Sequence, residues 1–91
     1  MKEYRIDFSK AKSIWEAHEV IRIGLNLPEW YGKNLDALWD SVTGLIQTPC
    51  TIFVQGKDTV PKNIQAEVNE MVNVLLEAKS EYKDIYLQIM Q

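Results

Sequence analysis

Residues able to carry covalent or metal chemistry are scarce in this 91-residue chain, which has one cysteine and one histidine. Cys50 cannot form an internal disulfide, and with no second histidine or cysteine as base or metal ligand it reads as a small buried apolar residue in preference to a nucleophile. No Gly-rich phosphate loop is present, and no cofactor is expected. Apolar runs are short, Val74-Leu75-Leu76 being typical, and fall far below the roughly 20 residues of a membrane helix. The start, Met1-Lys2-Glu3-Tyr4-Arg5, lacks the apolar stretch of a secretory signal, so the expected location is cytoplasmic. Repeats, low-complexity tracts and Gly/Ser linkers are missing, and the prolines stand singly at Pro28, Pro49 and Pro61. A single domain over residues 1–91 is expected. Positive charge is limited too: 10 basic against 13 acidic side chains give a net charge of -3. That balance argues mildly against a direct nucleic-acid partner and leaves room for a basic protein, the excess being too small to decide alone.

What is present is a regular alternation of elements. Tyr4, Ile6 and Phe8 alternate with Arg5 and Asp7, which predicts a half-buried strand over residues 3–8. Ser13 and Glu16 form a capping-box signature, and Ile14, Ala17, His18, Ile21 and Leu25 trace a helical face that runs out near Gly24. Cys50-Thr51-Ile52-Phe53-Val54 is a nearly continuous apolar run, suited to a strand covered on both faces and ended by Gly56. After Pro61, Ile64, Val68, Met71, Val72, Leu75 and Ala78 define the strongest helix, although the pattern leaves open whether residues 57–79 form one helix or two. Ile85, Leu87 and Ile89 alternate in a last strand. Strands joined by long helical connections cannot pair as hairpins, so the expected class is α/β, a small three-stranded parallel sheet packed with three to four helices.

One stretch differs from the rest: Leu27-Pro28-Glu29-Trp30-Tyr31-Gly32-Lys33-Asn34-Leu35-Asp36-Ala37-Leu38-Trp39-Asp40. Asn34 can cap a helix in which Leu35, Leu38, Trp39 and Val42 form an apolar stripe, with Gly44 placed to stop it. Asp36 and Asp40 then lie one turn apart on the flank of that stripe. Like charges at i, i+4 cost a few tenths of a kcal/mol, and no basic residue lies three or four positions from Asp40 to offset it. Asp40 also sits toward the end of the helix that the macrodipole makes unfavourable for an anion. A local rule broken without local compensation is where a functional site is expected. Glu77 falls opposite the apolar stripe of the long helix and has another acid, Glu81, at i+4.

These residues resemble the central motif of the barstar family, intracellular protein inhibitors of the bacterial ribonuclease barnase. The likeness spans essentially the whole chain, with a second match at Glu77-Ala78-Lys79. The resemblance implies that the acidic helix and the loop before it plug the cationic active site of a ribonuclease of the extracellular type. Asp40 would stand in for a substrate phosphate, Asp36 would take a flanking basic residue, and Glu77 would add a third negative group. Trp30, where the family has a tyrosine, would stack on the enzyme's histidine. Tyr31, Gly32, Asn34, Leu35, Trp39, Thr43 and Gly44 would complete or shape the contact. The protein is expected to be no enzyme and a monomer when free. It departs from the family pattern at Lys33, which replaces an acid; at Ser41, which replaces a cysteine; and at Leu45-Ile46-Gln47-Thr48, which replaces a more aromatic edge.

Two other readings fit the same residues. One is an immunity or interaction protein for a different nuclease toxin, using the same patch. The other is a Mg²⁺-dependent hydrolase with Asp36, Asp40 and Glu77 as ligands, although no general base is evident. His18 and Cys50 read as buried structural residues, and Trp15 and Tyr82 as core or surface-covering aromatics.

Overall fold

The computed structural model describes residues 1–90, in the order β1 (Lys2–Asp7), α1 (Ile14–Gly24), α2 (Leu35–Gly44), β2 (Cys50–Gln55), α3 (Gln65–Glu81) and β3 (Ile85–Ile89). The sheet is parallel in the order β1-β2-β3, with Tyr4 opposite Ile52, Ile6 opposite Val54, and Cys50 opposite Ile85. This is the expected α/β class. The open question about residues 57–79 is answered by two short 3₁₀ turns, Lys57–Thr59 and Lys62–Ile64, that lead into one long helix.

The sheet carries its helices on one face only. Tyr4, Ile6, Cys50, Ile52, Val54 and Ile85 point into the core, whereas Glu3, Arg5 and Asp7 are exposed and Thr51 and Phe53 are half-buried. The expectation that β2 is covered on both faces is therefore corrected. Phe53 is shielded by the Arg5 guanidinium, 4.4 Å above its ring on the neighbouring strand, so an apolar residue can stand on the open side without a second helical layer. Ala17 and Ile21 of α1 and Val68, Met71, Leu75 and Ala78 of α3 are essentially buried beneath the sheet, and Leu38 and Val42 of α2, which packs on α3, join the same core. Each large aliphatic side chain so buried contributes on the order of 1.5–3 kcal/mol.

The boundaries of α1 have local causes. The Ser13 hydroxyl accepts a hydrogen bond from the Glu16 N–H at 3.1 Å, while Glu16 reaches back to the Lys12 N–H at 2.7 Å, one residue beyond the usual capping-box partner. At the other end Asn26 adopts a left-handed conformation, φ 56°, and the Leu27 N–H donates to the Arg22 carbonyl at 2.8 Å, a Schellman turn built on asparagine. Gly24 is the last helical residue, where the helical face was expected to run out. Its glycine is required by packing, since a Cβ there would lie 2.3 Å from the backbone oxygen of Arg5 in β1. Ile14, expected on the inner face, is 42% exposed, and the buried face begins at Ala17. Gly56, φ 75°, turns the chain after β2, as expected.

Candidate protein-binding face

The segment between α1 and α2 is positioned by α1 side chains. His18 Nδ1 and the Tyr31 hydroxyl are 2.8 Å apart, both residues buried. Lys33 Nζ lies 3.1 Å from Glu19 Oε2 and 5.0 Å from the centre of the Trp15 ring. Glu19 also accepts from Arg22 Nε at 2.9 Å, and hydrogen bonds from Arg22 and Lys33 hold its carboxyl down at about 2. The Tyr31 N–H closes a turn onto the Pro28 carbonyl at 3.0 Å. Leu27 and Tyr31 are therefore anchored inward, and Trp30 between them projects outward, 75% exposed. Of the two aromatics expected on the contact surface, only Trp30 is available to a partner directly; Tyr31 is 5% exposed and can only shape the loop.

Burial, reinforced by the charge of Lys33, lowers the His18 pKa below its ordinary 6.5. The folded protein then binds fewer protons at this site than the unfolded chain, so the stability loss begins as pH falls through about 6.5 and continues to the lower folded value. Thermal unfolding followed at pH 8, 7, 6 and 5 should show a decline below pH 6.5 that is shallower in His18→Gln. Equal slopes in the two proteins would overturn this assignment.

Asn34 caps α2 as expected, its side-chain oxygen accepting from the Ala37 N–H at 2.7 Å. Leu38 and Val42 of the apolar stripe are buried, whereas Leu35 and Trp39 are half-buried and pack on the core from its rim. Ser41 is buried with its hydroxyl donating to the Ala37 carbonyl at 2.7 Å, and the Thr43 hydroxyl donates to the Trp39 carbonyl at 2.7 Å. Neither hydroxyl needs an outside partner. Gly44 is the last helical residue but lacks the left-handed conformation of a glycine stop, and α2 ends instead at Leu45 with its N–H bonded to the Ser41 carbonyl at 2.9 Å. A side chain at Gly44 would meet nothing within 4 Å, so its exposed backbone is open to whatever approaches α2.

Asp36 and Asp40 are exposed, as is Glu77 on the adjoining helix α3, and none of the three forms an ion pair among the described residues. Charge is segregated: α2 and α3 carry Asp36, Asp40, Glu67, Glu70, Glu77 and Glu81 against a single cation, Lys79, while the rest of the chain has slightly more basic than acidic residues. Lys33, which replaces an acid of the family pattern, has its charge engaged by Glu19 and Trp15. Sequence reasoning missed that pairing, and the His18–Tyr31 contact with it, because both join residues 13 or 14 positions apart across a turn with no local signature. No cluster of three or more His, Cys, Asp or Glu side chains able to hold a metal ion occurs among the described residues, so Asp36, Asp40 and Glu77 are not gathered as a Mg²⁺ site would require. Cys50 is buried, with its thiol pKa raised by burial and by Asp84, as suits an inert core residue. No helix is long and apolar enough to cross a membrane among the described residues.

Together the fold and this face define a small parallel α/β protein with two exposed aspartates on α2 and an exposed tryptophan in the loop before it. The chain belongs to the barstar family: the family model described as "Barstar (barnase inhibitor)" matches residues 1–89. The chain is also similar, at 30% identity over 91 residues and the full length of both proteins, to a Bacillus subtilis (strain 168) protein named "Putative ribonuclease inhibitor YrdF". Members of this family are inhibitors and not enzymes.

Proposed function

We propose that this protein inhibits a ribonuclease of the extracellular type by covering its cationic active site with α2 and the preceding loop. It would act as a cytoplasmic, single-domain protein that is monomeric when free. The observation that carries this reading is the pair Asp36 and Asp40, exposed on a capped helix without an ion pair among the described residues, with an exposed Trp30 in the loop before it. Family membership and the inhibitor name of the relative support it. A cleft made for phosphates presents several convergent cations, and carboxylates fixed on a helix meet them with charge-assisted hydrogen bonds at little ordering cost.

In this reading Asp40 takes the principal cationic cluster, Asp36 and Glu77 take flanking basic residues, and Trp30 is the aromatic anchor. Leu35, Trp39 and Asn34 form the rim around them, Gly32, Thr43 and Gly44 allow close backbone approach, and Tyr31 holds the loop from beneath. The function is tested by titrating the purified protein into a barnase-type ribonuclease at low and at physiological salt. Stoichiometric inhibition that weakens with salt is expected, and no inhibition at either salt would remove this class of target.

Trp30→Ala separates binding from folding. A side chain 75% exposed contributes little to stability, so the unfolding free energy should stay within about 0.5 kcal/mol of the parent. Loss of a central aromatic anchor should weaken the complex by about 2 kcal/mol. Calorimetric titration beside urea denaturation would measure both, and unchanged affinity would remove Trp30 from the contact.

A further inference from the structure

Four side chains of α1 reach the loop that carries Trp30, and they stand at Trp15, His18, Glu19 and Arg22, the i, i+3, i+4, i+7 spacing of one helical face. Arg22 Nη1 lies 3.5 Å from the Leu27 carbonyl oxygen at the start of the loop, and His18 Nδ1 lies 2.8 Å from the Tyr31 hydroxyl in its middle. At its end Lys33 Nζ is held twice, 3.1 Å from Glu19 Oε2 and 5.0 Å from the centre of the Trp15 ring. Glu19 joins the two ends, because its other oxygen accepts from Arg22 Nε at 2.9 Å. The Glu19 and Lys33 side chains are only 25% and 20% exposed, so water and salt screen this pair less than an open surface pair. Lys33 also has a left-handed backbone, φ 53°, which a residue with a side chain keeps only where its surroundings fix it.

Resting on the inhibitor reading, we infer that this stripe of α1 is a template for the contact loop, and that Glu19 is a positioning residue that sets affinity by holding Lys33. None of the four stripe residues belongs to the contact residues expected from the sequence. Without the clamp the left-handed turn at Lys33 relaxes, and the loop between Pro28 and Asn34 visits shapes in which Trp30 is not presented beside α2. A partner then binds only the fraction that keeps the held shape, and a fall of that fraction to about one tenth weakens apparent affinity about tenfold. Lys33 stands where the family pattern has an acid, and in this chain its charge serves the loop.

The test rests on two substitutions that shift the net charge in opposite directions. Glu19→Ala makes the protein less acidic and Lys33→Met makes it more so, so simple attraction to a cationic cleft would weaken inhibition in the first and strengthen it in the second. The clamp instead requires that both weaken inhibition of a barnase-type ribonuclease by about tenfold. The double variant should be about as weak as either single one, because each removes the same interaction, and Lys33→Arg should inhibit as the parent does. In the free protein, backbone NMR order parameters for residues 29–33 should fall from about 0.85 to below about 0.6 in both single variants. Their Tm should drop by no more than about 5 °C. Opposite effects of the two single variants on inhibition, or unchanged loop order in both, overturn the inference. Inhibition by the parent that neither variant weakens overturns it as well and leaves the inhibitor reading in place. No inhibition by the parent overturns the inhibitor reading, and with it the role of Glu19 in affinity, whatever loop order the variants show.

Discussion

Asp40→Ala should weaken inhibition of a barnase-type ribonuclease more than any other single change in the proposed face. Truncating one partner of a desolvated charge pair costs about 2–5 kcal/mol, or roughly thirty- to several-thousand-fold in affinity, much of it from the cations left buried without a counter-charge. The fold should not suffer. Asp40 is exposed, has no ion pair among the described residues and opposes the helix dipole, so its removal should leave Tm unchanged or slightly raised. The complex of the variant should also depend less steeply on salt. Inhibition constants at two ionic strengths, set beside thermal unfolding, would decide the matter. A variant that inhibits as well as the parent would move the binding site away from α2.

Gly24→Ala should produce the largest loss of stability without touching the proposed contact residues. The new methyl carbon would lie 2.3 Å from the Arg5 carbonyl oxygen and 3.1 Å from both the Arg5 carbonyl carbon and Ile6 Cγ1. The first obstacle is backbone in a paired strand, so no rotamer can yield. Either α1 lifts from β1, losing contact around Ile21 and Leu25, or β1 shifts against β2. Helix propensity offers about 1 kcal/mol in alanine's favour, but overpacking against rigid backbone costs about 3 kcal/mol or more. The net loss of about 2 kcal/mol corresponds to a Tm lowered by roughly 8–16 °C in a domain of this size. Denaturation curves for the two proteins would test it, and an equal or higher Tm would show that α1 sits farther from β1 than described.

The elements were legible in the sequence where one period dominated. Tyr4, Ile6 and Phe8 marked β1, Asn34 with Leu38 and Val42 marked α2, and Val68 through Ala78 marked α3. The single helical layer was not legible, because the run Cys50 to Val54 looks fully apolar, and only the pairing of Arg5 with Phe53 across strands explains how one side stays open. The end of α1 at Gly24 was legible, but the turn that closes it was not, since the left-handed residue after it is Asn26. At the candidate site, spacing and resemblance point to residues on α2, and the structure shows where each of them stands. Lys33 could not be placed, because its charge is directed by Glu19 and Trp15, residues whose proximity depends on how α1 turns into the loop.

Because helices cover one side of the sheet alone, the molecule has a front and a back. The proposed contacts lie on α2, on α3 and in the loop before α2, and the opposite surface is paved by Glu3, Arg5, Thr51, Phe53, Tyr86 and Gln88. That back surface can bear a dye, a surface tether or a fused domain while the front stays unobstructed, which makes the scaffold a natural handle for immobilising whatever it captures.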